Sequence, residues 1–237
     1  MPARTDRAIA DFQATWRGPA APWRRGLSVS GQPRPPNGHI SYYLVMQGIH
    51  ALPDDVQRVI EQLDEADRRA EAITSSLSDA QFHWQPDGGR RWSVAQCLEH
   101  LAIGAEVYAS PMRGALDQAQ RETSVRRGPF APGFFGRKFA NSLEPPVKFR
   151  GRAPKAIVPS STLSRAEILS RFHGSHATMK AMAREAGAID ANRATFQNPF
   201  LKMIRMKVST AFHVINAHDR RHLWQAEQVI GRPDFPR

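Results

Sequence analysis

Apolar residues at alternating spacings of three and four constrain this sequence more than any other feature. They begin shortly after position 53 and recur as Val56, Ile60, Leu63, Ala66, Ala70, Ile73 and Leu77. This spacing places them on one face of an α-helix of about 23 residues. Pro53 precedes the segment, and the charges of Asp54 and Asp55 favour its N-terminal end. The sequence therefore predicts an amphipathic helix that begins at Asp54.

Three further segments carry stripes of the same kind. Two of them begin at capping boxes, Ser93 with Gln96 and Ser164 with Glu167, which satisfy backbone N–H groups at a helix start. The stripes are Val94, Leu98, Leu101, Ala105, Tyr108 and Met112; then Ile168, Phe172, Met179, Ala183 and Ala186 before Gly187; and finally Phe212, Ile215, Ala226 and Val229, in a helix from about Ser209 to Ile230. Four such helices, without an alternating strand or an internal repeat, predict an all-α protein built as an antiparallel four-helix bundle.

Two segments depart from the helical pattern. Residues 1–50 mix proline, glycine and arginine without a period, so we expect a disordered or overcalled N-terminal extension before a bundle domain at 51–237. Residues 121–162 form a long loop between the second and third helices, and such loops are usually functional or disordered. We expect part of this loop to pack on the bundle through its phenylalanines, which are Phe130, Phe134, Phe135, Phe139 and Phe149.

Composition narrows the functional classes. No run approaches the roughly 18 apolar residues that cross a membrane, and the first residues lack a secretory signal. A single cysteine, Cys97, excludes an internal disulfide and fits a reducing compartment, so we expect a cytoplasmic protein. The net charge of +11 leaves nucleic-acid binding open as a less favoured alternative, because the basic residues are scattered in pairs rather than aligned on one helix.

The histidine pattern of the last helix points to chemistry. His218 and His222 are spaced i, i+4, which puts both imidazoles on one helix face, at the edge of the apolar stripe. His100 lies on the flank of the second helix's stripe, and Gly104 one turn later leaves space beside it for an ion or a water. A metal site and a set of partly buried, hydrogen-bonded histidines are both compatible with the spacing alone, because HxxxH is common by chance.

Two segments resemble the DinB/YfiT-like family. The first, residues 90–101 with the sequence RRWSVAQCLEHL, is similar to the family's second helix. It has a Trp-Ser start and a His seven residues after the Ser. HDRRHLWQ (218–225) is similar to its closing His-x-x-x-His-x-x-Gln signature. The resemblance implies a four-helix bundle in which His100, His218 and His222 hold a divalent ion (zinc, nickel or iron) with open positions. It also implies that Gln225 supports the site.

The same resemblance implies an enzyme. We expect a thiol-dependent S-transferase-type activity, in which the metal activates a small-molecule thiol or a water against an electrophilic substrate; a hydrolase is the nearest variant. The alternative is a non-catalytic, metal-binding stress-response bundle that forms a homodimer. Nucleic-acid binding is a further, less favoured alternative.

Several other polar or charged residues could have structural or functional roles. Asp219 projects into the apolar face of the last helix, so it orients a ligand imidazole, acts as a general base, or pairs with an arginine from another helix. We expect His176 to be a hydrogen-bonded core histidine and Cys97 a small buried residue. We expect four other histidines at the surface or in loops: His39, His50, His83 and His213. Four basic residues guide an anionic thiol or are simply solvated: Arg126, Arg127, Arg137 and Lys138.

Overall fold

The computed structural model describes residues 51–147, 151–160, 162–201 and 203–237. Four long helices dominate this part of the chain: α1 (Asp54–Thr74), α4 (Val94–Arg121), α6 (Arg165–Ala186) and α7 (Val208–Ile230). Three shorter helices, α2 (Asp79–His83), α3 (Pro86–Gly89) and α5 (Phe134–Leu143), and a 3₁₀ turn (Lys155–Ile157) lie in the connections. The all-α bundle predicted from the sequence is confirmed, whereas the expected extension at 1–50 lies outside the described residues.

The helix starts follow the local sequence signals. The Ser93 side chain accepts a hydrogen bond from the Gln96 backbone N–H at 3.1 Å, and the Gln96 side chain accepts one from the Ser93 N–H at 3.0 Å. Ser164 and Glu167 form the same reciprocal pair at the start of α6. Ser78 and Gln81 form a third capping box at α2. Capping boxes therefore fix the beginnings of three helices, as their side-chain chemistry requires.

The relative directions of the helices explain the long connection. Glu106 on α4 binds Arg171 on α6 at 2.6 Å, and Arg113, further along α4, binds Glu185, further along α6. These contacts show that α4 and α6 run parallel, not antiparallel as a bundle with short loops would have them. The chain must therefore return along the whole of α6, about 33 Å for 22 residues, before α6 can begin. The described residues between positions 122 and 164 lie on that return path.

The return segment packs on the bundle through Phe130 and through the close approach of α5 to α7. Phe130 is buried and stacks on Phe212 with ring centroids 5.7 Å apart. The helix α5 instead meets α7 closely at Gly136, where a Cβ would collide with the Thr210 side chain. Three phenylalanines of α5 stay on the surface: Phe134, Phe135 and Phe139. The expectation that part of this segment packs on the bundle through its phenylalanines is thus confirmed by Phe130 but not by these three, and Phe149 lies outside the described residues.

A small hairpin between α6 and α7 was not predicted. Its strands are β1 (Thr195–Gln197) and β2 (Arg205–Lys207), which pair antiparallel with Phe196 opposite Met206. Both of these side chains are buried, and Phe196 packs edge-on to Tyr108 of α4 at 6.2 Å. Strands of three residues are too short to show the alternation that identifies a strand. In the described part of the chain, no helix is long and apolar enough to cross a membrane.

Candidate metal centre

Three histidines from two helices meet at one point inside the bundle. The pairs of ring centroids of His100, His218 and His222 lie 4.4–4.8 Å apart. One ligand nitrogen from each ring can be chosen so that all three lie within 4.8 Å of one another. The packing of α4 against α7 brings the three rings together. The two helices run antiparallel, and His100 of α4 faces both His218 and His222, which are one turn apart on α7.

The hydrogen bonds of two rings leave their Nε2 atoms facing the common point. His100 Nδ1 lies 2.6 Å from the carbonyl oxygen of Ile157, and His222 Nδ1 lies 3.0 Å from Oε1 of Gln225. Both oxygens only accept, so each Nδ1 carries the ring proton and donates it. The neutral ring then has a lone pair on Nε2, which is the atom that can bind a metal.

The spacing of these lone pairs fits a divalent transition metal. His100 Nε2 lies 3.0 Å from His218 Nε2. Two imidazole nitrogens bound to one tetrahedral ion at about 2.0–2.1 Å lie roughly 3.3 Å apart, close to the observed separation. Two bare lone pairs at this distance repel, whereas a shared cation or proton stabilises them. Three imidazoles suit a transition-metal ion better than magnesium or calcium, which prefer oxygen ligands.

Burial keeps the three imidazoles neutral. His100 is 1% exposed and His222 is 7% exposed. Burial lowers the pKa of His100 to about 4 and, together with the charge effects of His100 and Arg221, lowers the pKa of His218 to about 3. The pKa of His222 is also well below its usual range, mainly because of burial. Neutral rings do not need to lose a proton before they bind a cation.

Comparison with the sequence models of known families assigns the chain to a family. The sequence model of the DinB superfamily matches residues 62–226. The chain belongs to the DinB superfamily. The matched range includes all three site histidines, and the resemblance inferred from the two motifs is confirmed. No curated protein and no solved structure matches the chain significantly.

The walls of the site in this DinB-superfamily chain come from Trp92 and Gly104. The ring centroid of Trp92 lies 4.6 Å from that of His100 and 5.7 Å from that of His222. A Cβ on Gly104 would lie 3.4 Å from Cε1 of His218. Gly104 provides space beside α4, as expected, and the ring of His218 lies against it.

The long connection takes part in the site. Ile157 belongs to it, and its carbonyl oxygen accepts the hydrogen bond from His100. Two positions later, Ser160 donates from its backbone N–H and its hydroxyl to Oε1 of Glu99, at 3.0 and 2.7 Å. Glu99 and His100 therefore fix this segment to α4 side by side. Nothing in the sequence marked Ile157, because a backbone carbonyl 57 positions away leaves no residue signature.

Asp219 faces a histidine of another helix, not the arginine suggested as one alternative. Its carboxylate is 2% exposed, and Oδ2 lies 3.6 Å from Nε2 of His176. His176 is fully buried, and its Nδ1 donates to Oδ1 of Asp67 at 2.7 Å. Burial by itself would lower the pKa of His176, but Asp219 and Asp67 more than offset this and raise it to about 9. His176 is thus a core histidine, as expected, but one that carries a positive charge between two carboxylates.

The remaining candidate residues lie away from the three histidines or play structural parts. Cys97 is fully buried as predicted, and burial raises the pKa of its thiol well above the usual range. The Nδ1 of His213 donates to the Ser209 carbonyl on the far side of α7, and His83 ends α2. Two further histidines, His39 and His50, lie outside the described residues.

The arginines near the site are not those suggested from the sequence. Arg126 binds Asp55 of α1, and Lys138 lies over the ring of Phe134. The pocket beside the histidines is lined instead by Arg90, Arg91, Arg152, Arg221 and Arg232. The sequence offered a signal for one of them, Arg221, because it stands between the two histidines of the HxxxH motif.

Proposed function

We propose that this DinB-superfamily chain is a divalent-metal-dependent enzyme that activates a small thiol for transfer to an electrophile. The observation that carries the proposal is the convergence of three neutral imidazoles of His100, His218 and His222 at the wall of an open pocket. A bound zinc, nickel or iron ion would act there as a Lewis acid that brings the pKa of a thiol or water ligand towards neutrality.

The protein's own groups hold the donors in place. The Ile157 carbonyl fixes the ring of His100, and Gln225 fixes the ring of His222. Such partners of ligand histidines set the tautomer and orientation of the ring. Trp92 packs on two of the rings and keeps water from that side, whereas His218 is partly exposed towards the pocket. Three protein ligands leave a coordination position for a substrate on the open side.

Asp219 has a supporting part in this proposal. It lines the pocket, and its Oδ2 lies 3.6 Å from Nε2 of His176 on the neighbouring helix. We assign Asp219 the task of balancing the positive charge of His176, in place of the general-base role.

The proposed reaction joins the sulfur of the thiol to an electrophilic carbon. The thiol gives up its proton to solvent, its sulfur forms the bond to carbon, and the leaving group departs with the electron pair of the bond that breaks. Hydrolysis of the same electrophile is the corresponding reaction when water replaces the thiol.

A thiol and electrophile panel tests this function. The protein is loaded with zinc, nickel or iron and incubated with one of several low-molecular-weight thiols and monobromobimane, and the fluorescent thioether is measured. We expect turnover that requires both metal and thiol and that is lost in His100→Ala. Protein that binds metal but turns over no pair would contradict the enzyme and favour a non-catalytic metal-binding bundle.

A further inference from the structure

The pocket beside the three histidines continues along the seam between α4 and α7. On α4, Tyr108 lines it two turns after His100, about 12 Å further along the helix axis. On α7, Val214 lines it one turn before His218. Because the two helices run antiparallel, both rows lead away from the histidines towards the same end of the bundle. The pocket therefore extends beyond the three imidazoles.

This extension, the distal section, is lined by uncharged side chains. On α4, on α7 and in the turn of the hairpin, we define it by Ala105, Tyr108, Phe200, Leu201, Val214 and Ile215. The ring centroids of Tyr108 and Phe200 lie 5.5 Å apart, so these two rings form its far wall. Transfer of an apolar group from water to such a lining is favourable.

The side chain of Asn198 holds the hairpin turn in place. Its Oδ1 accepts hydrogen bonds from the backbone N–H groups of Phe200 and Leu201, at 2.9 and 3.0 Å. The Asn198 side chain is also hydrogen-bonded to the side chain of Tyr108 on α4. The turn and the helix are therefore tied together, which preorganises the far wall of the distal section for a ligand.

The walls of the distal section are deeply set. Ala105, Val214 and Ile215 line it although each of them is no more than 4% exposed. At the rim of the pocket, Phe139 and Leu201 are large apolar side chains that are 48% and 58% exposed. A slender group of a small molecule can reach such walls, whereas the broad surface of another protein would cover only the rim. The section therefore fits a small apolar ligand, which would bury walls and rim together.

The opposite end of the pocket is polar. Arg91, which precedes α4, and Arg232, which follows α7, line this end, and both bind the side chain of Asp87. The three histidines lie between this end and the distal section. The difference between the two ends would orient a ligand with its apolar group away from the arginines.

We propose that the distal section binds an alkyl or aryl group of a substrate whose reacting end reaches His100, His218 and His222. The inference rests on the proposed function and names the class of one of its reactants: a small molecule that joins a polar reacting end to an apolar group. Burial of the apolar group supplies binding energy away from the reacting atoms, and this energy can hold those atoms in position.

A series of metal-binding ligands with longer and longer alkyl chains tests the inference by binding rather than by turnover. The Co²⁺-loaded protein is titrated with acetohydroxamate, butanohydroxamate, hexanohydroxamate and octanohydroxamate, and the visible absorption of the bound Co²⁺ is followed. A hydroxamate coordinates metals through its oxygens, so its alkyl chain extends away from the ion. We expect the affinity to rise by roughly threefold to fourfold for each methylene that enters the distal section.

Two pairs of exposed residues provide matched variants. Phe139→Ser and Leu201→Ser remove apolar area from the rim and should each lower the affinity for octanohydroxamate by roughly threefold or more. Phe135 lies on the same helix as Phe139, and Met203 lies on the same hairpin as Leu201, but neither is among the described residues that line the pocket. Phe135→Ser and Met203→Ser should therefore keep the full dependence on chain length.

Equal affinities across the hydroxamate series would overturn the inference, as would a dependence on chain length that persists unchanged in both Phe139→Ser and Leu201→Ser. Either result leaves the metal site standing, because Co²⁺ is then bound. Protein that takes up no Co²⁺ would overturn the proposed function and this inference together.

Discussion

The Nε2 atoms of His100 and His218 lie 3.0 Å apart, although 118 positions separate the two residues in the sequence. Contacts with other segments hold both rings in this arrangement. His100 is held by the Ile157 carbonyl, and His218 is held by its place on α7 against Gly104. The proximity of the two nitrogens is thus built by three different segments of the chain, which is the pattern of a preorganised metal site.

The hydrogen bond from His222 to Gln225 should strengthen metal binding. Gln225→Leu removes the acceptor at 3.0 Å and should weaken the affinity for Zn²⁺ by about 10- to 100-fold, the usual effect of losing such a partner. Gln225→Glu keeps an acceptor and should bind Zn²⁺ at least as well as the unmodified protein. Competition with a chromogenic chelator measures both affinities. Equal affinities in all three proteins would mean that Gln225 does not orient His222.

Gly104 should tolerate one methyl group and no more. A Cβ there would lie 3.4 Å from the ring of His218, which is ordinary van der Waals contact. Gly104→Ala should therefore keep the metal and raise the free energy of unfolding by about 0.5–1 kcal/mol, because alanine favours a helix interior over glycine.

The larger Gly104→Leu should displace the ring of His218 and lower metal affinity. Chelator competition measures the metal affinity of both variants, and urea denaturation measures their free energy of unfolding. Retained metal affinity in Gly104→Leu would show that the ring of His218 is not confined by α4.

The buried charge on His176 should make stability depend on pH. Its pKa is about 9 in the folded chain, whereas an unfolded histidine has a pKa near 6.5. The stabilisation is therefore fully present below pH 6.5 and is lost as the pH rises through about 9. The expected loss in the free energy of unfolding is on the order of 3 kcal/mol.

Urea denaturation of the metal-free protein between pH 6 and 10 measures this loss against His176→Gln, which lacks the titrating ring. Groups that do not contact His176 titrate alike in both proteins, so the difference between the two curves reports the charge of His176 together with its effect on Asp67. His83→Gln, at the end of α2, is the control and should follow the unmodified protein. Parallel curves for the unmodified protein and His176→Gln would contradict a charged His176.

Local signals predicted the framework of the fold and the three histidines. The stripes from Val56 to Val229 follow helical spacing, and capping boxes such as Ser93 with Gln96 need only four consecutive residues. The pair His218 and His222 is visible because i, i+4 spacing is a property of one helix. These features depend on neighbours in sequence, so a single sequence contains them.

The supporting interactions depend on contacts between distant segments. The parallel arrangement of α4 and α6 is set by how whole helices pack, and it places the Ile157 carbonyl next to His100. The charge pair of His176 with Asp67 spans 109 positions, and neither residue belongs to a motif. Periodicity can show that such a residue faces inward, but it cannot show which residue it meets.

The metal content of the purified chain shows whether His100, His218 and His222 hold an ion. Elemental analysis is made on three proteins: the unmodified chain, His222→Ala and the control His213→Ala. In the unmodified chain His213 lies on the same helix, but its ring binds the Ser209 carbonyl. We expect about one zinc, nickel or iron ion per chain in the unmodified protein and the control, and none in His222→Ala, with helicity unchanged. Equal metal content in all three proteins would contradict a metal site at these histidines. Unmodified protein that takes up no ion and gains no thermal stability from any of these metals would contradict it as well.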